Sequence, residues 1–261
     1  MLYFIMIFFK KIWLSTATLV AVFSFLIPGQ IFAEGNSGCG ITPEQIEQLK
    51  DLQANSSPNA PIKISEELGL RKSLLKLVVS CATKEAEDLK QSLSDIKISD
   101  QEVRFLQNQF LPWFSDVLNY YKLESNKIND LGLQGSKDFA KNFQTWRDGN
   151  FRQTAKIVST FILWSQNQEL IQIAQNRLSQ MKRGVDVFGL GLNEEIRNDL
   201  SGAEEKFNKS KSLNNVAKDI IKTYGSSDEA IVITKQSLDA LSTTYEKLID
   251  LAQKINKALI K

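Results

Sequence analysis

Residues 227–261 read SDEAIVITKQSLDALSTTYEKLIDLAQKINKALIK, and this stretch decides the fold. Its apolar positions follow one another at steps of three and four for about four heptads. Such a repeat places them along one seam of a helix, and the seam has to face another helix. The seam consists of Ile231, Thr234, Leu238, Leu241, Tyr245, Leu248, Ala252, Ile255 and Leu259. The stretch therefore predicts a long, coiled-coil-like helix.

The segment before it supplies a matching partner. Asn193 begins a second run with the same rhythm, in which Ser210 and Asn214 fall on the apolar seam. A polar residue on such a seam fixes the register of the helices at some cost in stability. Gly225 is a typical helix end, and Ser226 with Glu229 forms a capping box. The two helices are thus predicted to form an antiparallel hairpin.

Helical patterns also fill the chain upstream of residue 193. They predict short helices from Thr42 to about Gln53 and from Ser136, and long helices starting at Ser65, Ser99 and Phe151. Asp148-Gly149-Asn150 is interpreted as a turn, and Pro112 as a kink or a restart of its helix. Five long helices of similar length, joined by short connections, predict an all-α fold, namely an elongated up-and-down bundle with a coiled-coil-like C-terminal hairpin.

The first 33 residues are typical of a secretory signal peptide. Lys10 and Lys11 precede an apolar run, Pro28-Gly29 interrupts it, and Ala33 stands before a change to polar sequence. We expect cleavage after Ala33, with an N-terminal membrane anchor as the alternative, and Met6 is a second candidate start. The predicted organisation is a leader (1–33), a short helix with a polar linker (34–64) and a long-helix bundle (65–261). The protein is accordingly expected in the periplasm or envelope, or secreted.

The predicted export affects how the two cysteines, Cys39 and Cys81, are interpreted. An even number of cysteines outside the cytosol favours a disulfide, which here would close a loop of about 40 residues. The alternative is that Cys81 is a small buried apolar side chain on its helix face.

Composition excludes several chemistries. The chain contains no histidine, so Ser-His-Asp and Cys-His relays and His-ligated metal sites are ruled out. Two of its 32 basic residues, Lys10 and Lys11, lie in the leader, so the mature chain has as many basic as acidic residues, 30 of each. This balance shows none of the basic excess of a nucleic-acid-binding protein. We expect no catalytic residues, no metal and no cofactor.

One loop stands out because it is apolar. Val185, Val187, Phe188, Leu190 and Leu192 lie where two long helices should turn, whereas loops are usually polar. Either these residues contact a partner or a membrane, or they fold over the end of the bundle and close its core.

Charged and aromatic clusters have simpler interpretations. The acidic pairs, such as Glu194/Glu195 and Glu204/Glu205, are expected on solvated helix faces. The C-terminal lysines suit a helix C-terminus, and the aromatic residues between positions 105 and 164 are expected to form the thick part of the core.

Three functions follow from these features. The favoured hypothesis is a non-enzymatic exported bundle that acts by protein–protein contact, as a scaffold or as a subunit of an envelope or secreted assembly. Its expected partner is another protein, and a homo-oligomer is a further candidate. A membrane-active helical protein and a helical ligand-binding sensor are the alternatives.

Overall fold

The computed structural model describes residues 40–54, 61–96, 101–223 and 225–260. The described residues divide into two units, with the boundary between Gln48 and Leu49. Helix α1, Pro43–Ala54, begins as its capping box predicts. The Thr42 amide donates to the Gln45 side chain at 3.0 Å, and the Gln45 amide donates to the Thr42 hydroxyl at 3.4 Å.

The second unit is an all-α bundle, which confirms the predicted fold class, and the described residues contain no β-strand. Its helices are α2 (Pro61–Asp95), α3 (Gln101–Lys127), α4 (Leu133–Trp146), α5 (Arg152–Val187), α6 (Glu194–Lys222) and α7 (Ser227–Ile260). Short 3-10 turns lie at Ile128–Asp130 and Leu190–Leu192, and a π-helical segment occupies Arg147–Phe151. Helix α2 packs on α3, α4 and α5, and helix α7 packs on α5 and α6. Helix α5 therefore contacts both groups of helices.

Two predicted helix starts are wrong. Helix α2 begins at Pro61 rather than Ser65, because proline fits the first helical turn, where its missing N–H costs nothing. Helix α4 begins at Leu133, and the predicted cap Ser136 lies inside it, donating to the Leu133 carbonyl at 2.6 Å. Helix α3 passes through Pro112 without restarting, and the alternative, a kink at Pro112, stays a prediction.

The predicted turn at Asp148–Asn150 is also wrong. The backbone stays helical there, so an unbroken helical stretch runs from Leu133 to Val187 through the π-helical segment. Phe143, before the segment, and Phe151, its last residue, are both buried. The bundle therefore does not consist of five helices of matching length.

The C-terminal hairpin is confirmed. The Gly225 amide donates to the Ile220 carbonyl at 2.9 Å, and the Glu229 amide donates to the Ser226 hydroxyl at 3.3 Å. Glycine is needed at position 225 because a Cβ atom there would lie 2.9 Å from the Ile220 side chain. Three predicted seam positions of α7 shift by one residue: Ala230, Ser237 and Leu251 are buried in place of Ile231, Leu238 and Ala252. Helix α7 packs on both α5 and α6, so its buried face is wider than a single seam.

Candidate functional site

The predicted apolar loop is a tight turn between α5 and α6, which we call the tip (residues 185–192). Helix α5 continues to Val187, and Gly189 adopts a left-handed conformation with φ of 67° that suits glycine. Asn193 then caps α6, since its side chain accepts hydrogen bonds from the amides of Glu195 and Ile196 at 3.0 and 3.2 Å. The tip is thus built on two well-capped helix ends.

The tip residues divide into a buried and an exposed set. Val185 is only 2% exposed, so its prediction as a contact residue is wrong: it is a core residue of α5. Phe188 and Leu190 are half-buried. Val187 and Leu192 are 79% and 97% exposed. The turn therefore both closes the end of the bundle and presents two apolar side chains to solvent.

Ion pairs join the helices near the tip. Lys254 of α7 reaches two carboxylates of α6, Glu195 at 2.8 Å and Asp199 at 2.5 Å, and Lys182 of α5 lies 3.0 Å from Glu204. The hydrogen bonds that Lys254 donates to Asp199 and, to a lesser extent, to Glu195 raise the pKa of Lys254 above its usual value. These charged residues link neighbouring helices, rather than only covering solvated faces or compensating a helix dipole.

A layer of buried polar side chains crosses the region where α5, α6 and α7 meet. Asn167 donates to Asn214 and to Ser237, both at 2.8 Å, and Ser237 donates to the Ser210 carbonyl at 2.7 Å. Around this group, Trp164 donates to the Asn214 carbonyl at 2.9 Å and Asn214 donates to Gln168 at 2.7 Å. We call Asn167, Ser210, Asn214 and Ser237 the polar layer; each is at most 1% exposed. This confirms the predicted seam positions of Ser210 and Asn214.

Asn167 was not anticipated from the sequence. Its position between Trp164 and Ile171 has the three–four spacing of a seam, and this is the signal that identifies it. One of its atoms, Oδ1, is buried without a hydrogen-bond partner in the described part of the chain.

The aromatic residues pack mainly against one another. Tyr120 stacks on Trp146 with ring centroids 3.7 Å apart, and Trp113 stacks on Phe151 at 5.7 Å. Phe114, Phe143 and Phe151 are nearly or fully buried. These rings fill the core between α3, α4 and the π-helical segment, as predicted, but the prediction is wrong for Phe105, which is 61% exposed.

Arg147 joins this core to α2. Its guanidinium forms an ion pair with Glu85 and lies over the ring of Phe151, 5.3 Å from its centroid. The hydroxyl of Tyr121 is buried and has no hydrogen-bond partner of normal geometry among the described residues. Burial raises the pKa of Tyr121 to about 12, while the adjacent Arg147 opposes this shift. Sequence patterns missed Arg147 because it stands next to the segment interpreted as a turn.

A groove of about 700 Å³ lies between α2 and α3. Its walls carry lysine, serine and asparagine side chains, and Val79 and Leu118 are among its apolar lining residues. The titratable residues of its lining are Lys76, Lys84, Glu87, Tyr121 and Lys122.

Two predicted sites fall on residues that lie outside the described ranges, namely the cleavage site at Ala33 and the cysteine at Cys39. Cys81 is half-buried on α2, and the Cys39–Cys81 disulfide stays a prediction. Within the described ranges, no group of three or more carboxylate or cysteine residues is placed to hold a metal ion.

No protein-family model, curated protein or solved structure matches this chain. None of the helices in the described ranges combines the length and apolar character needed to cross a bilayer.

Proposed function

We propose that this protein is an exported, non-enzymatic helical bundle that acts by protein–protein contact through its tip. The observation that carries the proposal is the exposure of Val187 and Leu192, two apolar side chains held on a turn with well-defined caps. The proposal of export depends on the leader sequence, residues 1–33. No cofactor has a part in this function.

The tip is too small to supply the whole binding free energy of a protein–protein contact. Burying one such side chain is worth about 1.5–3 kcal/mol, so the pair supplies a useful anchor but not a whole interface. A stable interface buries at least about 1,200 Å² in total, so the partner must also contact the flanking surface of α5 and α6. This makes the two side chains the centre of the contact, where truncation costs most.

The chain offers a matched control for testing this contact. Val216 of α6 and Val232 of α7 are also exposed, at 44% and 53%, and lie outside the tip. The test variant is Val187→Gln with Leu192→Gln, and the control is Val216→Gln with Val232→Gln. All four changes replace exposed apolar side chains, so little effect on folding is expected.

The measurement is photo-crosslinking in the native envelope from position 191. A Cβ atom on Gly191 would meet nothing within 4 Å, so this position accepts a photoreactive amino acid. We expect a discrete cross-linked species that the control retains and the tip variant loses. Equal cross-linking in both variants, or no product from any of the three proteins, would contradict the proposal.

Liposome flotation distinguishes a membrane contact of the tip from a protein contact. Purified protein is mixed with vesicles of phosphatidylcholine and phosphatidylglycerol, beside both variants. We expect no flotation of the wild type. Flotation that the tip variant loses and the control keeps would assign the tip to a membrane surface instead.

A further inference from the structure

The polar layer divides the packing of α5, α6 and α7 into two apolar cores. On one side, the aromatic core extends as far as Trp164, Ala217 and Ala230. On the other side lies a second set of buried apolar residues, which is no part of that cluster. This distal core comprises Ile171, Ala174, Leu178, Val185, Ile196, Ala203, Phe207, Leu241, Tyr245, Leu248, Leu251 and Ile255. The tip belongs to the distal side.

Cooperative unfolding depends on contacts that join the parts of a structure. Apolar side chains that touch across a boundary lose their burial together when the boundary opens. Hydrogen-bonded groups such as Asn167 and Ser237 instead exchange protein partners for water, so the net free energy that each bond contributes is small. The polar layer therefore couples the two cores weakly, although it fixes the register of the helices.

The distal core contains fewer aromatic side chains than the aromatic core. Its aromatic side chains are Phe207 and Tyr245, and Ala174 and Ala203 contribute little buried area. Ion pairs with exposed components, above all Lys254 with Glu195 and Asp199, hold its helices together. Such pairs are individually weak and are screened by salt.

We propose that the distal parts of α5, α6 and α7 open as one unit beyond the polar layer while the aromatic core stays closed. Opening exposes the apolar seam behind the tip, including residues such as Leu248 and Leu251. The ion pairs of Lys254 act as the latch of this movement. The inference is independent of the function proposed for the tip.

Native-state hydrogen exchange on the purified protein tests this opening. We expect the amides of residues 171–187, 196–207 and 241–255 to exchange together, about 100-fold faster than those of residues 75–93 and 152–163. Exchange of both groups at one common rate set by global unfolding would overturn the inference.

Two variants identify the boundary and the latch. Asn167→Leu with Asn214→Leu and Ser237→Ala joins the two cores, and should bring distal exchange to within about threefold of aromatic-core exchange. Lys254→Gln should accelerate distal exchange alone, and Lys137→Gln, on the exposed face of α4, should leave both unchanged. If the triple variant does not fold, the Lys254→Gln comparison still decides, since acceleration of both cores, or of neither, contradicts a distal latch.

Discussion

At the scale of single residues, the polar layer makes Asn214 the most informative side chain. It accepts a hydrogen bond from Asn167 and donates one to Gln168. Asn214→Ala removes both bonds and leaves the buried Asn167 amide without this acceptor. Because an unsatisfied buried polar group costs about 1–3 kcal/mol, we expect the free energy of unfolding to fall by about 2 kcal/mol. Urea unfolding measures the change.

The neighbouring residue provides the control. Asn215 is exposed, so Asn215→Ala should change the free energy of unfolding by less than about 0.5 kcal/mol. Equal losses in both variants would mean that helix propensity, rather than the buried network, determines the effect.

Tyr121 gives the protein an alkaline sensitivity. Burial raises the pKa of its phenol to about 12 from an ordinary value of 10, so between these pH values the folded state keeps a proton that the unfolded state loses. The unfolded state then binds fewer protons, and stability falls as pH rises from 10 to about 12. Tyr120 and Tyr245 also have raised pKa values and contribute in the same direction.

Tyr121→Phe should reduce this loss, because phenylalanine keeps the ring and has no proton to lose. Thermal unfolding at several pH values between 9 and 11.5, with wild type and variant side by side, measures the difference. An unchanged slope would show that Tyr121 does not titrate with a raised pKa in the folded protein.

Local sequence rules predicted three of the helix caps but not the polar pairs between helices. Thr42, Asn193 and Ser226 satisfy amides two or three residues away, so spacing alone identifies them. Arg147 and Glu85 are 62 positions apart, and no local pattern marks them as partners. Asn167 and Asn214 are an intermediate case. The sequence shows that both have seam spacing, but their hydrogen bond depends on how α5 and α6 pack.

At the scale of elements, the π-helical segment explains an irregularity in the long helical stretch. Its buried side chains follow a three–four rhythm up to Phe143 and again from Phe151, yet these two residues are eight apart, where two turns would give seven. A π-helical turn takes up one extra residue without rotating the helix on either side. The sequence shows Gly149 and Asn150 as turn formers, but packing on both sides keeps the backbone helical.

Deleting Gly149 tests this explanation. The deletion should turn the π-helical segment into regular α-helix while both buried faces stay aligned, so the free energy of unfolding should change by less than about 1 kcal/mol. Circular dichroism and urea unfolding measure the outcome.

A deletion in regular helix is the matched control. Removing the exposed Gln166 should rotate the helix before this position by about 100° relative to the helix after it. The buried faces would then no longer align, and the free energy of unfolding should fall by more than about 4 kcal/mol. If the Gly149 deletion is as damaging as the Gln166 deletion, the extra residue does not explain the segment.

At the scale of the whole molecule, heptad patterns leave one question that only the packing answers. A seam can close within one chain or between two chains, and both give the same sequence pattern. In the described residues, the seam of α7 closes within one chain: Leu241 and Leu251 are fully buried, and Ile255 is 2% exposed. Helices α5 and α6 supply the contacts. A second copy is therefore not needed to cover these side chains.

This closure makes folding independent of association. The thermal unfolding midpoint should be the same at protein concentrations of about 1 and about 100 μM, because most of the described seam of α7 is already covered within one chain. A midpoint that rises with concentration would show that dimerisation stabilises the fold. The Val187→Gln, Leu192→Gln variant locates such a contact: the dependence disappears in this variant if copies associate through the tip, and persists if they associate elsewhere.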